Sequence, residues 1–485
     1  MSKTSSTPAI CWFRDELRLA DNRALDAAIA HGGPVIALYV HDEESPGLRP
    51  LGGAARWWLH HSLAALAASL EKAGATLTIL KGPAGKIVPA FAKACGAGLV
   101  TWSRRYGQPE RDIDAAIKTS LTAGGIAAES FCDRLLAEPW TLKTQSGTPF
   151  RVFTPFFRTL SALGDPPPPL SAPRKIASLA PTKIPTADQV RLDDLALLPR
   201  IPWDAGMAEA WTPGEAGAQA RLDAFIARGL KGYAEGRDRP DLDNVSRLSP
   251  HLRFGEISPR QIWHRLAAAQ GPATPKDRAK FLSEVGWREF AYHLLFHNPD
   301  LATRNFAPRF DSFPWGDAPQ ALAAWQKGRT GVPIVDAGMR ELWHTGYMHN
   351  RVRMIVASFL VKHLLIDWRQ GEAWFWDTLC DADPANNPAS WQWVAGSGAD
   401  AAPYFRVFNP VLQAVKFDPD GRYIRRWVPE IAKLPLPHLF KPWEAPASVL
   451  QTAGVALGRT YPQPVIGLEQ GRERALAAFA ALPKT

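Results

Sequence analysis

Apolar residues arrive in two different rhythms along this chain. From Ala9 to Leu136, short continuous apolar runs such as PVIALYV and ATLTIL alternate with longer Ala/Leu-rich stretches such as Ala54 to Ala73. Runs that are apolar on both faces suit the strands of a covered parallel sheet, and the longer stretches have the length and composition of the covering helices. The pattern predicts an α/β domain over residues 1–136, Rossmann-like in architecture. Its loops carry neither GxGxxG nor a P-loop, so this half alone identifies no nucleotide. Between Pro166 and Pro213 prolines, including the run PPPPL, replace any sustained period. Residues 137–214 therefore read as an inter-domain connection, laid along the surface because it is too long for a structureless loop.

From Glu215 to Ala480 the strand rhythm gives way to helical patterns punctuated by Gly, Pro or a capping residue. Ser258-Pro259 reads as an N-cap and first turn, and Pro319 to Gly328 as a short helix closed by glycine. Arg351 to Trp368 is apolar on nearly every side from Met354 to Val361, which predicts a helix through the domain's centre. Residues 215–485 thus form an all-α domain.

Composition adds less. The 485 residues exceed what one core serves, in agreement with two domains. A net charge of +9 suits a polyanionic partner such as DNA, or nothing more than a solvated surface. Cys11, Cys95, Cys132 and Cys380 are scattered, with no pair or His/Cys cluster at metal-ligand spacing, so a reducing, cytoplasmic setting and no metal are expected. The opening MSKTSSTPAI lacks the apolar core of a leader, and Arg353 and Lys362 interrupt the longest apolar helix, so no membrane span is expected.

The stretch DADPANNPASWQWVAGSGADAAPYFRVFNP, Asp381 to Pro410, concentrates carboxylates, amides, glycines and aromatics in a segment of little periodicity. A packed core has no use for Asp381, Asp383, Asn386 and Asn387 together, since each demands a buried partner or water. The composition suggests a ligand site; a solvated loop is the alternative.

This stretch resembles the flavin-binding signature of the photolyase and cryptochrome family. The resemblance continues through TGYMHNRVRMIVASFLVKHLLIDW (Thr345 to Trp368), GWREF (Gly286 to Phe290), SRLSPHLRFGEISPR (Ser246 to Arg260) and CWFRDELRLADNRAL (Cys11 to Leu25), and so covers nearly the whole chain. It implies FAD in the helical domain, with Tyr233, Ser246, Arg247, Leu248 and Ser249 near its phosphates, Arg288, Asn350, Arg353, Asp381, Asp383 and Asn387 around its ring, and Phe281 as a further cofactor contact. The two serines offer hydroxyl donors, although ordinary helix capping would look the same; Val245 stands where many relatives carry threonine. A guanidinium such as Arg353 suits an anionic reduced flavin, and structural ion pairing with the aspartates is the plain alternative. Asn387 matches the position facing the flavin N5 edge, where plant-type cryptochromes carry aspartate; an amide offers a fixed dipole there and cannot ionise.

The resemblance further implies an electron-transfer chain of Trp391, Trp368 and Trp315, three indoles that could equally fill a core. It assigns substrate contact to Arg237, Glu284, Trp287, Tyr347, Asn350, Met354 and Trp393, a set suited to a flipped dinucleotide, with Glu284 catalytic or else a salt-bridge partner of Arg288. Glu110 matches a position used for a folate (methenyltetrahydrofolate) antenna, and an acidic residue also suits the helix start there. The implied activity is light-dependent repair of cyclobutane pyrimidine dimers, of class I or class III type, by a cytoplasmic monomer acting on UV-damaged DNA, double- or single-stranded. The alternatives are a cryptochrome-type blue-light photoreceptor, a (6-4) photolyase, and a DNA-binding flavoprotein without photochemistry. Asn387 and the closeness of the chain's end to the helical domain speak against the first, and the MHN pattern at Met348 to Asn350 against the second.

Overall fold

A computed structural model describes residues 7–185, 188–401 and 405–483, so residues 402–404 of the signature stretch lie outside the described residues. Strands β1 (Ala9–Phe13), β2 (Val35–His41), β3 (Leu77–Lys81), β4 (Leu99–Ser103) and β5 (Ala127–Phe131) form one parallel sheet in the order β3-β2-β1-β4-β5. Side chains alternate between its faces. Ala9, Cys11 and Phe13 pack with helices α1 (Arg23–Ala30) and α2 (Gly53–Lys72), whereas Ile10 and Trp12 pack with α3 (Ala84–Ala94) and α4 (Gln108–Ala123). The connecting chain includes α5 (Phe153–Ser161) and then runs back along the sheet, where Ile176 donates its N–H to the Ala73 carbonyl at 2.7 Å and Val35 to that of Ala177 at 2.7 Å.

The remainder is helical: α6 (Ala205–Ala210), α7 (Glu215–Ala224), α8 (Tyr233–Gly236), α9 (Ser249–Arg253), α10 (Pro259–Ala268), the long α11 (Pro275–His297), α12 (Pro319–Gln326) and α13 (Pro333–Thr345) lead to α14 (Asn350–Ser358), α15 (Trp368–Thr378) and α16 (Asn386–Ala395). Ser258 and Gln261 exchange side-chain hydrogen bonds with each other's backbone N–H at 3.0 and 2.8 Å, the reciprocal cap that stops α10 from fraying. The apolar stretch expected as one helix from Arg351 to Trp368 is divided. α14 passes into a π-helical turn at Phe359–His363, Leu365 takes a left-handed φ of 55°, and Trp368 opens the next helix. Val352 to His363 is still the domain's centre apart from its rim residues Arg353 and Met354. No helix among the described residues is long and apolar enough to cross a membrane.

Strand order reverses between β1 and β4, which in open α/β sheets opens a crevice at the carboxyl ends of the strands. Here that place holds the joint with the helical domain. Leu17 donates its N–H to the Phe254 carbonyl at 3.0 Å, and Arg134 and Arg253 both pair with Asp15, at 3.0 and 3.2 Å. Glu16 is fully buried in the joint with Oε2 unpartnered among the described residues, and burial raises its pKa to about 7. The folded protein thus binds this proton more tightly than the unfolded chain does, so Glu16 costs stability progressively as pH rises from the ordinary glutamate range to about 7. Chemical denaturation of wild type and Glu16→Gln between pH 5 and 8 tests this: the variant's stability relative to wild type should grow with pH, and parallel profiles would refute it.

Candidate functional site

The carboxylates of the signature stretch are placed by ion pairs and helix starts. Asp381, its side chain 3% exposed, accepts from both terminal nitrogens of Arg353 at 2.8 and 3.1 Å and from the Ser249 hydroxyl at 2.5 Å. Arg353 also donates through Nε to the Met348 carbonyl at 2.7 Å, and its guanidinium lies 5.1 Å from the Tyr347 ring centre. Asp383 accepts from the backbone N–H groups of Ala385 and Asn386 at 2.9 and 2.6 Å and from the Tyr292 hydroxyl at 3.1 Å. It therefore fixes the start of α16, and with it the position of Asn387.

Asn387 is 8% exposed, and its Nδ2 donates to the Glu372 carbonyl at 3.0 Å and to Glu372 Oε1 at 2.8 Å. Both partners are acceptors, so only the NH₂ end of the amide can face them. The acceptor Oδ1 must point the other way.

Around this centre the other residues assemble unevenly. Arg247 has a left-handed φ of 52°, and its guanidinium lies 4.3 Å from the Trp211 ring and 5.1 Å from that of Tyr347, which is 7% exposed. Non-glycine residues held in this region cost about 1–3 kcal/mol and concentrate at functional sites. Ser246 Oγ accepts only from Leu248 N–H, at 3.4 Å, while Tyr233 and Phe281 close an aromatic trio with Phe225. Arg288 donates to the Arg134 carbonyl at 2.7 Å and keeps a buried Nη2 without a partner among the described residues.

On the rim, Glu284 pairs with Arg237 and with Lys280, not with Arg288 as the plain alternative had it. Trp287 stacks on Phe153 with ring centres 3.8 Å apart, and Trp393 donates its indole N–H to the Asp400 carbonyl at 3.0 Å. Asn350, exposed, begins α14; Met354 is half-buried on the same helix. His349 caps that helix, accepting from Arg351 N–H at 3.2 Å, and burial lowers its pKa to about 4.

Trp391 and Trp368 belong to the largest core cluster among the described residues, and Trp315 packs against it. Trp391 is buried, its indole N–H has no partner among the described residues, and its ring contacts there are with Phe375 at 4.9 Å and Trp325 at 6.2 Å. A Cβ on Gly371 would stand 2.1 Å from the Trp391 ring, so only glycine lets α15 approach it. Trp368 donates to Asn305 Oδ1 at 3.0 Å, and half-buried Trp315 sits 4.4 Å from Phe313. Glu110 occupies the first turn of α4 near Arg105. Sequence reasoning missed Glu372, Phe153 and Trp325; an acidic residue amid the tryptophans of α15 was the one available signal for the first.

Residues 9–174 match the DNA photolyase model, and residues 281–481 match the model of the FAD binding domain of DNA photolyase. The chain is 53% identical to a deoxyribodipyrimidine photo-lyase of Agrobacterium fabrum, over 99% of each chain. It belongs to the DNA photolyase family. A crystal structure of a bacterial class III photolyase from Agrobacterium tumefaciens superposes with a TM-score of 0.95 at 52% identity, covering 100% of this chain and 99% of that one. Cryptochrome-1 of Arabidopsis thaliana is 39% identical over 98% of this chain and 70% of its own length. FAD is the cofactor of this photolyase fold, and the residues fit it: Arg288 Nη2 and Arg247 Nε are buried donors without partners among the described residues, suited to an anionic ligand, and Asn387 offers an oriented acceptor.

Proposed function

We propose that this protein is a deoxyribodipyrimidine photo-lyase that repairs cyclobutane pyrimidine dimers in DNA under blue light. FAD, bound in its reduced form, supplies the photoexcited electron that splits the dimer and then returns. The protein's own residues bind, orient and exclude water. Arg353, held by Asp381, would set its guanidinium against the negative charge of a reduced ring. The observation that carries the reading is the amide of Asn387, held through Nδ2 by Glu372 so that its acceptor oxygen is turned away from Glu372; the reading puts the flavin N5 edge on that side. An aspartate at this position, as in plant-type receptors, would exchange protons there.

Trp287 and Trp393 offer apolar walls to an extruded dimer, and Glu284 accepts hydrogen bonds from its base edge while Arg237 holds a neighbouring phosphate. A dimer stacks poorly, which lowers the cost of extrusion. Against the (6-4) alternative, His349 is occupied in capping α14 and stays neutral down to about pH 4, so it is a poor proton donor to a substrate. Trp391, Trp368 and Trp315 would relay an electron from an external reductant at the surface to bound flavin. For an antenna the reading rests on Glu110, with folate as the chromophore, and the visible spectrum of purified protein tests it. The enzyme acts in this reading as a cytoplasmic monomer on double- or single-stranded damaged DNA, with affinity that falls as salt rises.

Illumination of reduced protein with a thymine-dimer oligonucleotide should restore thymine absorbance, and no light-dependent restoration would sink the proposal. Glu284→Ala should lower repair about tenfold or more, the loss of a charged hydrogen bond, while FAD per chain is unchanged. Parallel loss of both would contradict the role given to Glu284.

A further inference from the structure

The amide that faces the flavin is not held by the helical domain alone. Glu372, which fixes Asn387, has a side chain 4% exposed and is itself gripped by Arg49, whose Nη1 and Nη2 donate to its two carboxylate oxygens at 2.8 and 3.0 Å. Arg49 stands in the loop between β2 and α2, on the sheet domain. That loop is fitted to α15 at several points. The Arg49 guanidinium lies 4.2 Å from the Trp376 ring centre, the Trp376 indole N–H donates to the Pro50 carbonyl at 2.8 Å, and Gly53 N–H donates to Asp377 Oδ1 at 2.8 Å. A Cβ on Gly52 would stand 2.2 Å from the Trp376 carbonyl oxygen, so the loop reaches this close only with glycine there.

From this chain we infer that Arg49 is a positioning residue for the flavin, through which the sheet domain sets the orientation of Asn387 and the reduction potential of the cofactor. The inference rests on the reading of Asn387 given above. The guanidinium does two things at Glu372. It holds the carboxylate by a two-point grip that leaves Oε1 aimed at Asn387 Nδ2, and it neutralises a buried negative charge close to the ring. Without it, the carboxylate is free to turn away from the amide, and its uncompensated charge opposes the anionic reduced flavin. Both effects lower the potential. Arg49 is not among the residues assigned to flavin or substrate, and its side chain is 38% exposed, so replacing it removes the grip without opening a core.

The test is spectroelectrochemical titration of bound FAD in wild type, Arg49→Met, Glu372→Gln and the double variant. Arg49→Met should lower the two-electron midpoint potential by about 30 mV or more, a tenfold shift in the equilibrium. In the Glu372→Gln background the same change should move the potential little, because the charge it compensated is gone. An unchanged potential in Arg49→Met, or shifts that simply add in the double variant, would overturn the inference. If Arg49→Met does not retain flavin, Arg49→Lys reads the same point: it keeps the charge but not the two-point grip, so its potential must fall below wild type, and equality would overturn the inference. Flavin-loaded wild type that repairs no dimers would instead sink the functional reading and leave this one standing.

Discussion

Replacement of Arg353 by methionine is expected to give a folded protein that purifies largely without flavin. Arg353 spends both terminal nitrogens on Asp381 and its Nε on the Met348 carbonyl. Methionine keeps the apolar stem but leaves Asp381, 3% exposed, with only the Ser249 hydroxyl. Removing one partner of such a buried pair costs about 3–5 kcal/mol because the remaining charge is stranded. Here the stranded charge is negative, and the proposed function sets the anionic ring beside it, so on that reading the penalty falls on binding as well as on folding. If half of it falls on binding, affinity drops by about tenfold or more. The ratio of flavin to protein absorbance reads the outcome, with far-UV circular dichroism to show that the helices remain. Full occupancy in the variant would mean that Arg353 only locks Asp381 in place. Asp381→Asn should be milder, since the carboxamide oxygen still accepts from Arg353 or Ser249.

The architecture was legible where each element carries its own signal. PVIALYV is apolar on both faces because β2 is covered by α2 on one side and α3 on the other, and Ser258 announces α10 because its hydroxyl fills an orphan N–H. The break after α14 was not legible: nothing in the apolar run from Met354 to Val361 distinguishes a π-helical turn from a continued helix, and the left-handed Leu365 is a residue that ordinarily avoids that conformation. The site divides the same way. Asp381, Asp383 and Asn387 stood out as polar residues with no place in a core, and family resemblance then supplied the ligand. What positions them could not be read. Arg49 and Glu372 lie 323 positions apart, and an arginine in a Gly/Pro loop has no local mark that tells an ion pair from a solvated side chain. Likewise Phe153 looked like part of a connection, and only the folded chain stacks it on Trp287. Charges that act through another residue leave no periodicity behind.

Arg260→Leu is expected to destabilise the protein by about 3–5 kcal/mol, more than any surface charge removal. Arg260 lies on α10 of the helical domain with its side chain 2% exposed, and every hydrogen bond that it makes crosses to the first domain. Nε donates to Asp21 at 3.0 Å, Nη1 to the Cys132 carbonyl at 2.8 Å and Nη2 to Asp133 at 3.2 Å. The two aspartates do other work that depends on this. Asp21 accepts from Ser258, the N-cap of α10, and Asp133 accepts from the Arg23 N–H at the start of α1. Leucine takes the ion pair with Arg260 from both carboxylates in a buried joint and removes the side-chain donor of the Cys132 carbonyl, and lysine would restore the charge but not the three-way fork. Because the joint closes the crevice at the carboxyl ends of β1 and β4, the damage should appear as separation of the domains before either unfolds. Urea denaturation should then show two transitions in the variant where wild type shows one. Arg265→Ala is the control: its pair with Asp223 is about half exposed on both sides, and losing it should cost no more than about 0.5 kcal/mol. Equal stability of the two variants would mean that the buried ion network selects the arrangement of the domains without holding them together.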